Sequence, residues 1–437
     1  MRTHRVPPSR FPHASRMRRP APGKRGGERD HVSCGHVCAG SHDPQTAMAE
    51  QEPLLPAPPP PEPPGAQWRN GAAFWLLGLC NNLPYVLMLS AARDILQPPL
   101  PPQVSVNGSR YDCNPVSTGA VLLADILPTL LIKLVAPFVV HLLPYNPRVI
   151  AAALCAWGSF ALVASAAGMA VSLGGVVLAS AASGLGEVTF LALASAYPRV
   201  GVSCWSSGTG AAGVGGALAY GALLQVGLPL PHALLPALAL PPLTLLSYFF
   251  LLCPPPRPTE PPPPAVGLTP REKWGVAKGV VGQAGPLALV YFAEYFINQG
   301  LLELLYFPAS ALTHGEQYRW YQLIYQVGVF ASRSSLRCFR LRRVWVLALL
   351  QVLNALILLA AVAVPFLPGL AVAFAMVGGE GLLGGAAYAN AFLNVAEQAP
   401  PHGREFAMTV ASVADTAGIA LAGGAALGAH GVFCPRG

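Results

Sequence analysis

The sequence predicts an all-α polytopic membrane protein of about eleven transmembrane helices in two bundles, and three observations carry this prediction. The composition is 53% hydrophobic and only 11% charged, where a soluble domain carries roughly 25% charged residues. The apolar residues gather into runs of about 20, the length that crosses a bilayer core at about 1.5 Å per residue. A polar, Pro-rich segment, CPPPRPTEPPPPAVGLTPREKW, divides those runs into six and five.

Residues 1–67 are Arg-rich and then Pro-rich, with PAPPPPEPP at 56–64, and form a disordered N-terminal tail because they cannot bury a core. Residues 1–47 hold nine Lys/Arg against three Asp/Glu, or +6 of the chain's +8. The basic balance therefore marks a tail and implies no nucleic-acid partner. Its His31, Cys34, His36, Cys38 and His42 match no zinc spacing, and neither a metal nor another cofactor is implied. Met48 is a plausible alternative start, and Glu50-Gln51-Glu52-Pro53-Leu54-Leu55 has the form of an acidic dileucine signal read by sorting adaptors.

The first bundle (68–252) is expected to span at 72–96, 117–143, 148–167, 170–197, 202–227 and 231–252. After the linker (253–275), the second (276–437) spans at 276–307, 316–337, 344–366, 369–397 and 405–431. With the tail cytosolic, the connections on its side collect Arg148, Arg199, Arg257, Arg271, Lys273, Lys278, Arg337, Arg340, Arg342, Arg343 and Arg404, while the other side keeps little beyond Arg110 and Arg319. That distribution obeys the positive-inside rule. Asn107-Gly108-Ser109 on the other side is a sequon, so Asn107 is expected to be glycosylated in a lumen.

The halves echo one another. Gly184-Leu185-Gly186-Glu187 in the fourth span is answered by Gly378-Gly379-Glu380-Gly381 in the fourth span of the second set, Asn81-Asn82 by Asn298-Gln299, and Lys133 by Arg333. Two repeated bundles with a path between them is a transporter architecture. The path is expected through Val290–Phe307, where Glu294 and Asn298, and Gln299 and Glu303, lie four residues apart on one helix. A carboxylate in the bilayer costs a few kcal/mol and survives mainly at a bundle interior or a watered path. Asp125, Lys133, Glu187 and Glu380 are similarly deep, with Asp415 close behind. Asp125 and Lys133, two turns apart on one face, can neutralise one another. Arg333 has Ser332, Ser334 and Ser335 beside it and suits a phosphate, whereas Arg337, Arg340, Arg342 and Arg343 suit an anchor on anionic membrane lipid. No Ser/His/Asp order, zinc-hydrolase motif or nucleotide fingerprint occurs, so an enzyme is not expected.

FWLLGLCNN (74–82), LSAARDIL (89–96), VLLADILPTLLIKL (121–134), SGLGEVTFL (183–191), SSGTG (206–210), VYFAEYFINQGL (290–301), QYRWYQ (317–322), GVFASRSSLR (328–337), EGLLGGAAY (380–388) and REFAM (404–408) resemble the battenin family of lysosomal membrane proteins, the family of juvenile neuronal ceroid lipofuscinosis. The resemblance covers about residues 66–430. It implies a late-endosomal and lysosomal location, a major-facilitator-like fold, and a role in clearing glycerophosphodiesters, with links to lysosomal pH, arginine handling and trafficking. It also implies sorting signals at Glu50, Leu54 and Leu55 and at Met408 with Gly418. The family's myristoylated start is absent, since Arg2 follows Met1, and Cys434-Pro435-Arg436-Gly437 matches its prenylated end poorly. The resulting expectation is a transporter exporting small anionic phosphodiesters, with a non-transporting trafficking scaffold as the alternative. In it Glu294 carries or gates a proton, Asn298 and Gln299 bind substrate hydroxyls, Lys133 and Arg333 attract the phosphate, and Glu187 and Glu380 move with their helices.

Overall fold

The computed structural model describes residues 65–96, 117–139, 142–165, 169–197, 200–225, 235–254 and 268–434. Glu50, Leu54, Leu55 and Asn107 lie outside these. The described residues form eleven long helices: α1 (Ala66–Leu96), α2 (Thr118–Val139), α3 (Tyr145–Ala164), α4 (Met169–Ala194), α5 (Val200–Gln225), α6 (Leu235–Leu251), α7 (Pro270–Leu301), α8 (His314–Ser334), α9 (Val344–Ala363), α10 (Leu370–Gln398) and α11 (Arg404–Phe433). Eight are long and apolar enough to cross a membrane by length and composition. The chain is a multi-pass membrane protein.

Local sequence sets the helix starts. Thr269 and Glu272 open α7 with a reciprocal capping box, and Thr313 and Glu316 do the same for α8. The cap places the start of α7 at Pro270, inside the segment read from sequence as linker. Pro236, Pro241 and Pro242 make α6 a short succession of 3-10, α and π turns. Apolar side chains on the outer faces, such as Leu131 and Phe138 of α2 and Leu349, Leu353 and Leu356 of α9, are exposed, while the polar residues sought above are inside. This inversion of a soluble fold suits a lipid solvent.

The packing repeats with a shift of six helices. Helix α1 packs on α4 and α5, α2 on α4, and α3 on α4; equivalently α7 packs on α10 and α11, α8 on α10, and α9 on α10. Two matching seams, α2 against α11 and α5 against α8, join the halves. Equivalent helices are also joined by an asparagine: Asn81 of α1 donates to the Ser183 carbonyl of α4 at 3.2 Å, and Asn298 of α7 donates to Glu380 of α10 at 2.7 Å.

Glycine permits the closest approaches. A Cβ on Gly381 of α10 would collide with the Tyr325 carbonyl of α8, and one on Gly208 of α5 with the Trp75 carbonyl of α1. Gly381→Ala is therefore expected to cost about 1–3 kcal/mol by overpacking and to lower the melting temperature of detergent-solubilised protein, whereas Gly215→Ala, which has open space at that position, leaves it unchanged.

Candidate functional site

The α2–α11 seam is closed by a buried ion triad. Lys133 Nζ of α2 lies 2.8 Å from Glu187 Oε2 of α4, 3.4 Å from Asp415 Oδ1 of α11 and 2.6 Å from Thr416 Oγ1. An ammonium has three protons, and these partners take all of them. Ser412 adds a hydroxyl to Glu187 at 3.3 Å. Two carboxylates thus surround one cation, so Lys133 has no charge left for a phosphate, contrary to the role expected for it. Nor does it pair with Asp125, because eight residues along one helix separate the two by about 12 Å.

The α5–α8 seam is built differently. Arg333 of α8 donates to Thr209 Oγ1 of α5 at 2.6 Å and to the Tyr291 hydroxyl of α7 at 2.9 Å, and its guanidinium lies 4.1 Å from the ring centroid of Tyr388 in α10. Its Nε is buried without a partner. Among the described residues no carboxylate forms an ion pair with it. Four helices therefore hold a cation through neutral groups and one aromatic face, which orients it without neutralising it. Toward the end of the bundle where α1 begins, Ser207 and Ser334 meet at 2.9 Å and Trp75 donates to Ser207 at 3.2 Å. Beyond them opens a cavity of about 770 Å³ lined by Trp68, Trp75, Ser203, Leu336 and Arg340.

Glu294 lies one turn beyond Tyr291. It is buried, accepts a hydrogen bond from the Tyr325 hydroxyl, and keeps Oε2 unpartnered. Gly384 of α10 makes the room, since a Cβ there would strike this carboxylate. The regular helix expected as far as residue 307 ends at Phe296; Ile297–Leu301 is a π-turn, a feature frequent at functional sites. Asn298 in that turn donates its amide back to the Glu294 main-chain carbonyl at 3.2 Å and to Glu380 Oε1 at 2.7 Å, which ties this turn of α7 to the α10 carboxyl. Glu380 Oε2 is also unpartnered. Gln299 is buried and gives its carbonyl to Thr118 at 2.7 Å. Gln299 and Glu303 do not share a helical face, because helix ends at Leu301 and Glu303 turns to Thr118 Oγ1 of α2 at 2.8 Å.

The family model described as CLN3 protein matches residues 72–263 and 263–436. The chain belongs to the CLN3 family. It is 51% identical to dog battenin over 433 residues, covering 91% of this chain and 99% of that protein, and 39% identical to protein BTN1 of Yarrowia lipolytica, covering 80% and 91%. Among solved structures it is similar to the human organic anion transporter MFSD10 (TM-score 0.57, 18% identity, 86% of this chain and 95% of that one). It is also similar to a bacterial homologue of the human lysosomal transporter Spinster (TM-score 0.50, 17% identity, 82% and 81%). This CLN3-family chain therefore has the major-facilitator fold.

The structure gathers Lys133 with Glu187, and Glu294 with Asn298 and Glu380, while Arg333 stands at the other seam and Asp125 apart. Sequence reading missed Thr209, Tyr291, Tyr325, Tyr388 and Thr416, whose only local signal was a hydroxyl beside an apolar run. It also missed a contact at the end opposite the start of α1, where His430 Nδ1 of α11 lies 3.9 Å from Glu303 Oε1. Met408 is fully buried and Gly418 packs on the Ala288 carbonyl, both within α11. Lys133→Met, which leaves two carboxylates facing one another unpaired, is expected to cost about 3–5 kcal/mol. The triple variant with Glu187→Gln and Asp415→Asn should recover most of that, as read from thermal unfolding in detergent.

Proposed function

We propose that this protein is a late-endosomal and lysosomal transporter, working by alternating access, that exports small anionic phosphodiesters of the glycerophosphodiester class. The observation that carries the reading is Arg333, an oriented guanidinium at a bundle seam with no anion of its own. Such a cation is costly in a membrane unless a ligand supplies the charge, and phosphate oxygens match its donor geometry. The likeness to an organic anion transporter and to a homologue of a lysosomal transporter favours the same class. The tail and the Arg-rich connections are cytosolic in this reading, so the cavity beside Trp75 is the exit vestibule. Effects on lysosomal pH and trafficking then follow from transport.

Glu294 is the proton carrier or gate. It sits within electrostatic reach of Arg333, and its ionised form competes with a bound anion for that charge. Protonation removes the competitor, so proton and anion load together. Glu380 and Asn298 hold α10 to α7 and move with them, and Gln299 and Asn298 lie where substrate hydroxyls pass.

The test is uptake of labelled glycerophosphodiester into proteoliposomes holding the purified protein, with and without an inward proton gradient. Saturable flux is expected, reduced at least tenfold by Arg333→Gln, as loss of one charge-assisted contact worth about 1.5–3 kcal/mol implies. Glu294→Gln should abolish stimulation by the gradient. Folded, oriented protein without flux would transfer the role to a trafficking scaffold acting through its cytosolic segments.

A further inference from the structure

Asp125 of α2 differs from the other interior acids among the described residues. Glu187 and Asp415 share Lys133, Glu380 holds Asn298, and Glu294 holds Tyr325. Asp125 is fully buried and neither carboxylate oxygen has any partner. Its backbone is fixed, because its carbonyl takes the Ser180 hydroxyl of α4, and Thr129, one turn on, bonds Ser180 at 2.7 and 2.9 Å. The α2–α4 contact thus sets the position of Asp125 and leaves its carboxyl unpartnered. Lys133 cannot serve it, since its three protons are taken.

Tyrosines connect this carboxylate to Arg333. Tyr85 of α1 lies within electrostatic reach of both Asp125 and Tyr295 of α7, and its hydroxyl is buried. Tyr295 stacks on Tyr291 with centroids 5.9 Å apart and planes 18° apart. Tyr291 in turn accepts from Arg333 at 2.9 Å. This row of rings crosses from one bundle to the other, with a guanidinium that has no ion pair at one end and an unpartnered carboxyl at the other. Tyrosine faces attract ammonium groups, and a carboxylate beside them adds the counter-charge.

We infer that Asp125, with Tyr85 and Tyr295, is the subsite for a positively charged, ammonium-type group on the transported molecule, so that zwitterionic phosphodiesters bind with the phosphate on Arg333 and the cation on Asp125. The inference rests on the transporter reading above and adds a determinant of headgroup preference. A protonated Asp125 serving only packing or proton relay would not distinguish headgroups.

The experiment compares two probes in the same proteoliposomes: glycerophosphocholine, whose headgroup is cationic, and glycerophosphoglycerol, whose headgroup is neutral. For the wild type, both are expected to be carried. For Asp125→Asn, the ratio of choline-probe to glycerol-probe kcat/KM should fall at least tenfold. Tyr85→Leu should lower the same ratio through KM, while Tyr85→Phe, which keeps the ring face, should not. An unchanged ratio in Asp125→Asn, or wild-type transport of the glycerol probe alone, overturns the subsite and leaves the transporter standing. Transport of neither probe overturns the transporter reading itself. Should Asp125→Asn fail to fold, the Tyr85 pair decides: an unchanged ratio in Tyr85→Leu overturns the proposal.

Discussion

A charge inside a bilayer must find its counter-charge within the protein or bring one in, and the arrangement of this molecule follows from how each interior charge meets that demand. The Lys133–Glu187–Asp415 triad meets it from within. Its three members come from α2, α4 and α11, so neutralising one ammonium also fastens the second bundle to the first. The side chains of Lys133 and Asp415 are almost wholly buried, so water cannot substitute for either partner. The seam cannot part without exposing charge to an apolar medium, unless water enters with the motion.

The scaffold is symmetric but the use of its two seams is not. Helices α2 and α8 are equivalent in the packing, and each contributes one deep cation to the junction between bundles. Around Lys133 the partners are acids; around Arg333 they are a threonine, a tyrosine hydroxyl and a tyrosine face. Both sets fix the position of the cation, but only the first cancels its charge. A repeated fold can in this way keep one seam as a structural tie and leave the other in need of an anion. Tyr388 joins the two: it stacks on Arg333, receives the indole N–H of Trp205 at 3.2 Å, and lies within electrostatic reach of Glu187 and Asp415. A change of charge at either seam is therefore felt at the other.

Much of this was legible in the sequence because bilayer thickness imposes a length that composition reveals directly. The span positions, the division into six and five, and the glycine–glutamate echo of α4 and α10 all follow from local patterns. Arg333 could be singled out because hydroxyls replace apolar neighbours around it. The partners could not be read, since each comes from another helix, from 31 residues away for Tyr325 and Glu294 to 283 for Lys133 and Thr416. Asp125 and Lys133 show how a helical-wheel argument misleads: sharing a face is not being within reach, and about 12 Å of axial rise separates them. The spacing of Met408 and Gly418 is likewise silent on where the two residues sit. A linear motif carries no information about burial, and in α11 both residues are spent on packing against their neighbours.

The π-turn Ile297–Leu301 shows why α7 departs from the uninterrupted helix its composition suggests. An added residue in the turn breaks the four-residue spacing, which lets the Asn298 amide serve both the Glu294 carbonyl and the Glu380 carboxyl. It also redirects the chain so that Gln299 and Glu303 meet Thr118 of α2, a contact between bundles at the end opposite the start of α1. The buried part of α7 before the turn therefore belongs to Arg333 and Glu294, and the part after it belongs to closure of that end. A regular helix would transmit any rotation of one part rigidly to the other; the wider turn, with its weaker hydrogen bonding, is where the two can move separately. In the proposed mechanism the protonation of Glu294 takes place three residues from this junction, so its consequences need travel only that far to reach the contacts of α7 with Thr118 of α2.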